Sequence, residues 1–240
     1  MTQTNSSGTG VPDDQIPPIP TDKLKSRPLH FLWVVDASSS MGGEKVNSLN
    51  AAIRDAVPEV LAAAKENPEA HLEMGAIAFS NGAKWLTNGL TPIEQFKWPG
   101  VTAGGVTDMG HAFKLVTEFL RDKMPQRAIP PVVVLLSDGQ PTDEYQPALR
   151  ELLDLPWGKR AVRLAIAIGK DAERQPLEEF VNNKEVPVLS ANSPDELVSW
   201  IRWASVSVTS FHSSGQSQSG ASKPVPDPPP PPDTKPGPVW

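Results

Sequence analysis

Apolar residues along this chain fall into two patterns. Short unbroken runs at 31–35, 132–136 and 164–168 have strand length and no polar alternation, the mark of strands covered on both faces. They predict strands over 29–35, 132–136 and 161–168. Elsewhere apolar side chains recur at helical spacing. Val46, Leu49, Ile53, Val57, Val60 and Leu61 predict a helix over 44–66, with Pro58 inside it, where a kink or break is expected. Ala112, Leu115, Val116 and Phe119 predict another over 107–123. Strands over 72–79 and 84–87 are expected to pair through the Asn81-Gly82 turn. Shorter helices are expected over 143–153 and 172–181, and a short strand over 186–189. The last helix carries its own start signal: Ser193 as cap, Pro194 in the first turn and Glu196 completing a capping box. Its apolar face is Leu197, Trp200, Ile201, Ala204 and Val208. Buried strands alternating with helices imply an α/β fold, an open and mostly parallel sheet with helices on both sides.

This pattern occupies residues 28–210. Before it, 1–27 is rich in Thr, Ser, Gly, Pro and Asp. After it, 211–240 runs through a Ser/Gly/Gln stretch into PVPDPPPPPDTKPGPVW. Of 240 residues, 27 are proline, roughly twice the usual ~5% share, and they gather at the two ends. Such segments bury too little apolar surface to offset ordering entropy, so disorder is expected at both ends. The tail could alternatively dock on a partner as a proline-rich adaptor, with Trp240 as an aromatic anchor.

Charge and cysteine content narrow the function. The chain carries 22 basic and 28 acidic residues, a net charge of −6, a poor basis for nucleic-acid binding. With no cysteine, disulfides, thiolate metal sites and cysteine nucleophiles are excluded. The polar first thirty residues give no sign of a secretory leader, and no apolar run approaches the ~20 residues of a membrane helix. A soluble cytoplasmic protein that contacts neither membrane nor nucleic acid is expected.

In an open α/β sheet, ligands bind beyond the carboxyl ends of the strands near the point where strand order reverses. Three segments expected there combine small oxygen-bearing side chains with glycine: Asp36-Ala37-Ser38-Ser39-Ser40-Met41-Gly42-Gly43, Gly104-Gly105-Val106-Thr107-Asp108, and Ser137-Asp138-Gly139-Gln140-Pro141-Thr142-Asp143. Hydroxyls of Ser38, Ser40 and Thr107 with the carboxylates of Asp36 and Asp138 make an all-oxygen donor set. That set suits a hard divalent cation, Mg²⁺ foremost, with Mn²⁺ or Ca²⁺ as substitutes. Carboxylates held behind neutral hydroxyls would leave the cation electrophilic and ready for an acidic side chain from a partner. Asp-x-Ser-x-Ser alone arises by chance in roughly one chain in twenty of this length. Its place after an apolar strand, with a second strand ending in Ser-Asp-Gly, is what makes it specific. The bland alternative makes these residues helix caps and strand ends. Asp108 is expected to act as negative charge at a helix N-terminus, or otherwise as an extra outer ligand.

These segments resemble the von Willebrand factor A family, whose metal-ion-dependent adhesion site combines an Asp-x-Ser-x-Ser loop, a distant Thr and a distant Asp. Asp36, Ser38 and Ser40 match the first element, Thr107 the second and Asp138 the third. Asp-Gly-Gln-Pro-Thr-Asp and the Ala-Ile-Gly at 167–169 are also similar to the family, and look closest to a small bacterial branch associated with tellurite-resistance and stress operons. The resemblance implies a Rossmann-like domain, a mainly parallel sheet with one antiparallel edge strand, and metal-dependent protein binding in place of catalysis. In that branch it implies a protein kinase and a PP2C-type phosphatase as partners.

An enzyme reading competes with this one. Phosphohydrolases of the haloacid dehalogenase type also place an Asp after the first strand, but they resemble Asp-x-Asp, and Ser38 cannot donate a proton as a second carboxylic acid would. No GxSxG, Walker loop or GxGxxG is present. The four histidines are scattered; His111, one turn beyond Thr107, is expected on a helix surface within reach of a partner. Trp200 is expected in the core and Trp33 within the first strand, whereas Trp85, Trp98, Trp157 and Trp203 are candidates for loops or half-exposed faces.

Overall fold

The computed structural model describes residues 27–66, 70–213 and 225–230. Strand β1 (Arg27–Asp36) is buried at every position from Leu29 onward, so both of its faces are covered. It pairs in parallel with β2 (Ala70–Ser80) on one side and β5 (Val132–Ser137) on the other. Beyond β5 lie β6 (Val162–Ile168) and β7 (Leu189–Ala191), both parallel. Beyond β2 lies β3 (Gly82–Trp85), the expected antiparallel edge strand. A two-residue strand β4 (Thr91–Pro92) also pairs with β2. The order is thus β3-β2-β1-β5-β6-β7, and its direction reverses between β1 and β5.

Helix α1 (Glu44–Lys65) packs with α6 (Pro194–Arg202) and α7 (Val208–Ser213). Helix α2 (Met109–Asp122) packs with α3 (Tyr145–Asp154) and with the short α4 (Pro156–Arg160). Phe113 of α2 stacks at 5.4 Å on Phe180 of α5 (Arg174–Val181). The apolar face expected for the last helix is buried throughout, and Trp200 and Trp33 are in the core.

The structure departs from the sequence pattern at identifiable places. Helix α1 runs unbroken through Pro58, which lies on its exposed side, as does Arg54 one turn before it, where a lost helical hydrogen bond costs least. The last strand begins at Leu189, beyond Pro187, where the missing N–H no longer interrupts the ladder to β6. The last helix runs on through Ala204 and Val208, as its apolar face predicts, but its residues Trp203–Ser207 are π-helical, and the Ser205 hydroxyl donates to the Ile201 carbonyl at 2.6 Å. Trp98 and Trp203 are buried, while Trp85 and Trp157 are part-exposed. The expectation of disorder at 1–27 lies outside the described residues apart from Arg27, which opens β1. In the tail, 214–224 and 231–240 also lie outside them, while Val225 is buried against the core. Among the described residues, no helix is long and apolar enough to cross a membrane.

Candidate metal centre

Two of the three loops singled out above leave the sheet at the reversal point, after β1 and β5, the third leads into α2, and backbone hydrogen bonds stitch them together. The Ala37 carbonyl accepts from Gly104 N at 2.8 Å, and the Gly105 carbonyl accepts from both Ser39 N (3.1 Å) and the Ser39 hydroxyl (2.8 Å). Thr107 is tied to the third loop in both directions: its N–H donates to Thr142 Oγ1 at 2.9 Å and its carbonyl accepts from Thr142 N at 2.9 Å. Gly139 has φ +71° and packs so tightly that a Cβ there would lie 1.9 Å from the Glu173 carbonyl oxygen, so this turn requires glycine.

Asp36 is fully buried at the end of β1. Its Oδ1 accepts the Ser38 N–H at 2.8 Å, and its Oδ2 accepts the Ser137 hydroxyl at 2.5 Å. Ser137 in turn accepts from Gly139 N at 2.9 Å, so one carboxylate clamps β1 to the loop after β5. Burial pushes the Asp36 carboxyl up to about 6; hydrogen bonds from Ser137 and Ser38 oppose that rise, and the nearby Asp138 charge adds to it. The Ser38 and Ser40 hydroxyls are 2.9 Å apart, Ser38 buried and Ser40 exposed. Thr107 is buried, and so is Asp138, at 2% exposure.

Among the described residues five buried side-chain polar atoms lack a hydrogen-bond partner, Trp33 Nε1, Thr117 Oγ1, Trp203 Nε1, Thr209 Oγ1 and Asp138 Oδ1, and Asp138 is the one carboxylate of the set. Its Oδ1 is buried with no hydrogen-bond partner among the described residues, and its Oδ2 has only Lys45 Nζ, 3.9 Å away. An ionised oxygen in that state is costly unless something compensates it. The candidate donors on these three loops are hydroxyl and carboxylate oxygens, the chemistry that a hard divalent cation selects. The residues therefore fit a cation of the Mg²⁺ class.

A second cluster sits beside the first and was not legible as a unit. Asp108, His111 and Asp143 each offer a ligand atom within 4.8 Å of the others. Asp108 immediately precedes α2 but makes no side-chain cap bond to it; its Oδ2 accepts from Gly82 N at 2.7 Å, tying the helix start to the β2–β3 turn. Asp108 thus places its charge at the α2 N-terminus, as expected, while the side-chain bonds to the helix come from Asp143, which accepts from Gly110 N (3.0 Å) and His111 N (3.3 Å). His111 is exposed, as expected, with Nδ1 3.7 Å from Asp108 and 3.5 Å from Asp143. The Asp108/His111 spacing of three on one helix was the available signal; Asp143, from a loop over thirty residues away, had none.

No curated protein sequence matches the chain. Solved structures do. It is similar to a von Willebrand factor type A protein from Catenulispora acidiphila (16% identity, TM-score 0.56, covering 75% of this chain and 42% of that one). It is also similar to the ArnB paralog VWA2 from Sulfolobus acidocaldarius (21%, 0.55, 73% and 44%). A third is proximal thread matrix protein 1 from the mussel byssus, with a zinc-occupied MIDAS motif (19%, 0.52, 76% and 46%). The chain thus spans less than half the length of each, and at these identities the likeness is one of fold. The family model for the von Willebrand factor type A domain matches residues 32–200, which include all five candidate ligands and nearly the whole sheet, and the chain belongs to that family.

Proposed function

We propose that this domain is a metal-dependent protein-binding module in which Ser38, Ser40 and Thr107 hold a divalent cation, Mg²⁺ by preference, with Asp36 and Asp138 behind them. Asp138 Oδ1 carries the reading: a buried carboxylate oxygen without a partner, in a set of oxygens on three loops tied to one another. A bound cation supplies a Lewis-acidic position that takes an Asp or Glu side chain of a partner. The chain's own residues do the rest. Asp36 spends both oxygens on Ser38 N and the Ser137 hydroxyl, so it fixes the serine loop against β5. Lys45 near Asp138 offsets part of the buried negative charge. Ser40, exposed beside buried Ser38, is where the arrangement opens to a partner.

Interaction without catalysis is the general habit of von Willebrand factor type A domains. The engagement of both Asp36 oxygens also speaks against that residue as a phosphohydrolase nucleophile. A kinase and a PP2C-type phosphatase in a bacterial stress system remain part of the proposal solely on the sequence resemblance.

The test is capture from native lysate on the immobilised full chain. An acidic-surfaced partner is expected to be retained with Mg²⁺, and lost with EDTA or with Ser38→Ala. Retention indifferent to both overturns the reading. Retention that instead disappears on deleting 214–240 assigns binding to the proline-rich tail.

A further inference from the structure

At the other end of the sheet, His30 lies six residues upstream of Asp36 on β1, roughly 20 Å away at 3.3 Å per residue. There a cavity of about 490 Å³ opens between the β2–β3 edge and the C-terminal half of α2. That is a volume suited to a small organic molecule. Its apolar walls are Trp85, Leu90, Leu115 and Phe119, with the Trp85 and Phe119 rings edge to face at 5.8 Å. Trp85 and Leu115 stay part-exposed. Three carboxylates share the lining, Glu73, Glu118 and Asp122, against the single ammonium of Lys123.

We propose that this cavity binds a small organic cation, an ammonium group on an aromatic or branched apolar body, at a site separate from the metal loops. Four features converge on that class. The carboxylates outnumber the basic groups of the lining. Helix α2 ends at the cavity, in Asp122, and presents the negative end of its dipole there. The Trp85 indole is a face over which an ammonium is attracted. Glu73 is held in place from below: buried His30 donates from Nε2 to Glu73 Oε2 at 3.0 Å, with Met124 Sδ 3.2 Å from Nδ1 and Phe119 packed on the ring. Burial holds His30 below its usual range, with Glu73 opposing, so near neutral pH the imidazole orients the Glu73 carboxylate without cancelling its charge. The other titratable neighbour of Glu73 is His71, exposed and 3.9 Å away. An anion would meet three carboxylates and a helix C-terminus.

Isothermal titration of the full chain at low ionic strength distinguishes the outcomes, with three probes of one shape: phenethylammonium, phenethyl alcohol and phenylpropionate. Phenethylammonium is expected to bind saturably, the alcohol about tenfold more weakly and phenylpropionate more weakly still. Leu115→Trp fills the cavity and is expected to abolish binding. Because that variant alters a packed face, the exposed pair Glu118→Lys/Asp122→Lys gives a second reading and is expected to weaken phenethylammonium about tenfold or more. Ser40→Ala is expected to leave it unchanged. Absence of saturable ammonium binding, equal binding of the three probes, indifference to the double charge reversal, or loss in Ser40→Ala each overturns the proposal.

Discussion

A half-buried charge and a buried one lie at opposite ends of neighbouring strands and behave in opposite ways. Arg163, near the start of β6, has no carboxylate partner among the described residues, yet its guanidinium is consumed. Nε donates to the Phe180 carbonyl at 2.8 Å, Nη1 to those of Gly158 and Ala161, and Nη2 to that of Val181 at 3.3 Å. Those carbonyls include the last turn of α5 and the end of α4, so the side chain caps two helices at once. Asp138, just past the end of β5, is more deeply buried and has one oxygen with no hydrogen-bond donor among the described residues. Closed satisfaction makes Arg163 scaffold. The unpartnered Asp138 oxygen is what supports the proposed metal-binding role.

The largest effect expected from this contrast is at Arg163. Arg163→Met strands several part-buried carbonyls at once and should cost about 3 kcal/mol in urea unfolding, equally with and without Mg²⁺. A loss below about 1 kcal/mol would show the cap to be dispensable. Asp138→Asn should act with the opposite signature: little change, or a gain of about 1 kcal/mol, for the metal-free protein, because a buried charge is removed. It should also lose the stabilisation of about 2–3 kcal/mol that the wild type gains at Mg²⁺ near a hundred times its Kd. Equal Mg²⁺ stabilisation of both proteins in thermal scans would erase the contrast.

A smaller effect is the pH dependence of Asp36. Its folded carboxyl is raised to about 6 from an ordinary 3.8, so the folded state binds more protons than the unfolded one between those values. Metal-free stability contributed by this group should therefore rise as pH falls from 7 toward 4, while Mg²⁺ affinity falls below about 6. His30, lowered by burial, works the other way below its ordinary 6.5, so the comparison is wild type against Asp36→Asn at each pH. A difference between the two that does not vary with pH would remove the raised Asp36 carboxyl from the account. Smallest is Asp108→Asn, expected to weaken Mg²⁺ two- to threefold if its charge acts at a distance, as read by titration calorimetry; unchanged affinity makes it purely a tie to Gly82.

Much of the architecture was written in the apolar pattern, because β1 and β5 are covered on both faces and leave no polar alternation to confuse with a helix. What was illegible came from long-range partners. Strand β4, two residues including Pro92, has no periodicity of its own and exists through its pairing with Glu73 and Met74. The strand expected at 186–189 slid to Leu189–Ala191, with Arg174 Nη2 reaching back to the Val188 carbonyl at 2.9 Å. At the candidate centre, spacing and residue type picked out Asp36, Ser38, Ser40, Thr107 and Asp138. They could not reveal that Ser137 clamps Asp36, that Lys45 faces Asp138, or that Asp143 joins Asp108 at the α2 N-terminus. Those depend on loops meeting across thirty to a hundred residues.

Anomalous scattering from Mn²⁺ in crystals of the full chain tests the central claim most directly. The account predicts one strong peak in contact with the Ser38, Ser40 and Thr107 hydroxyls, with Asp138 next to it. A peak confined to Asp108, His111 and Asp143, or none at saturating Mn²⁺, would contradict it.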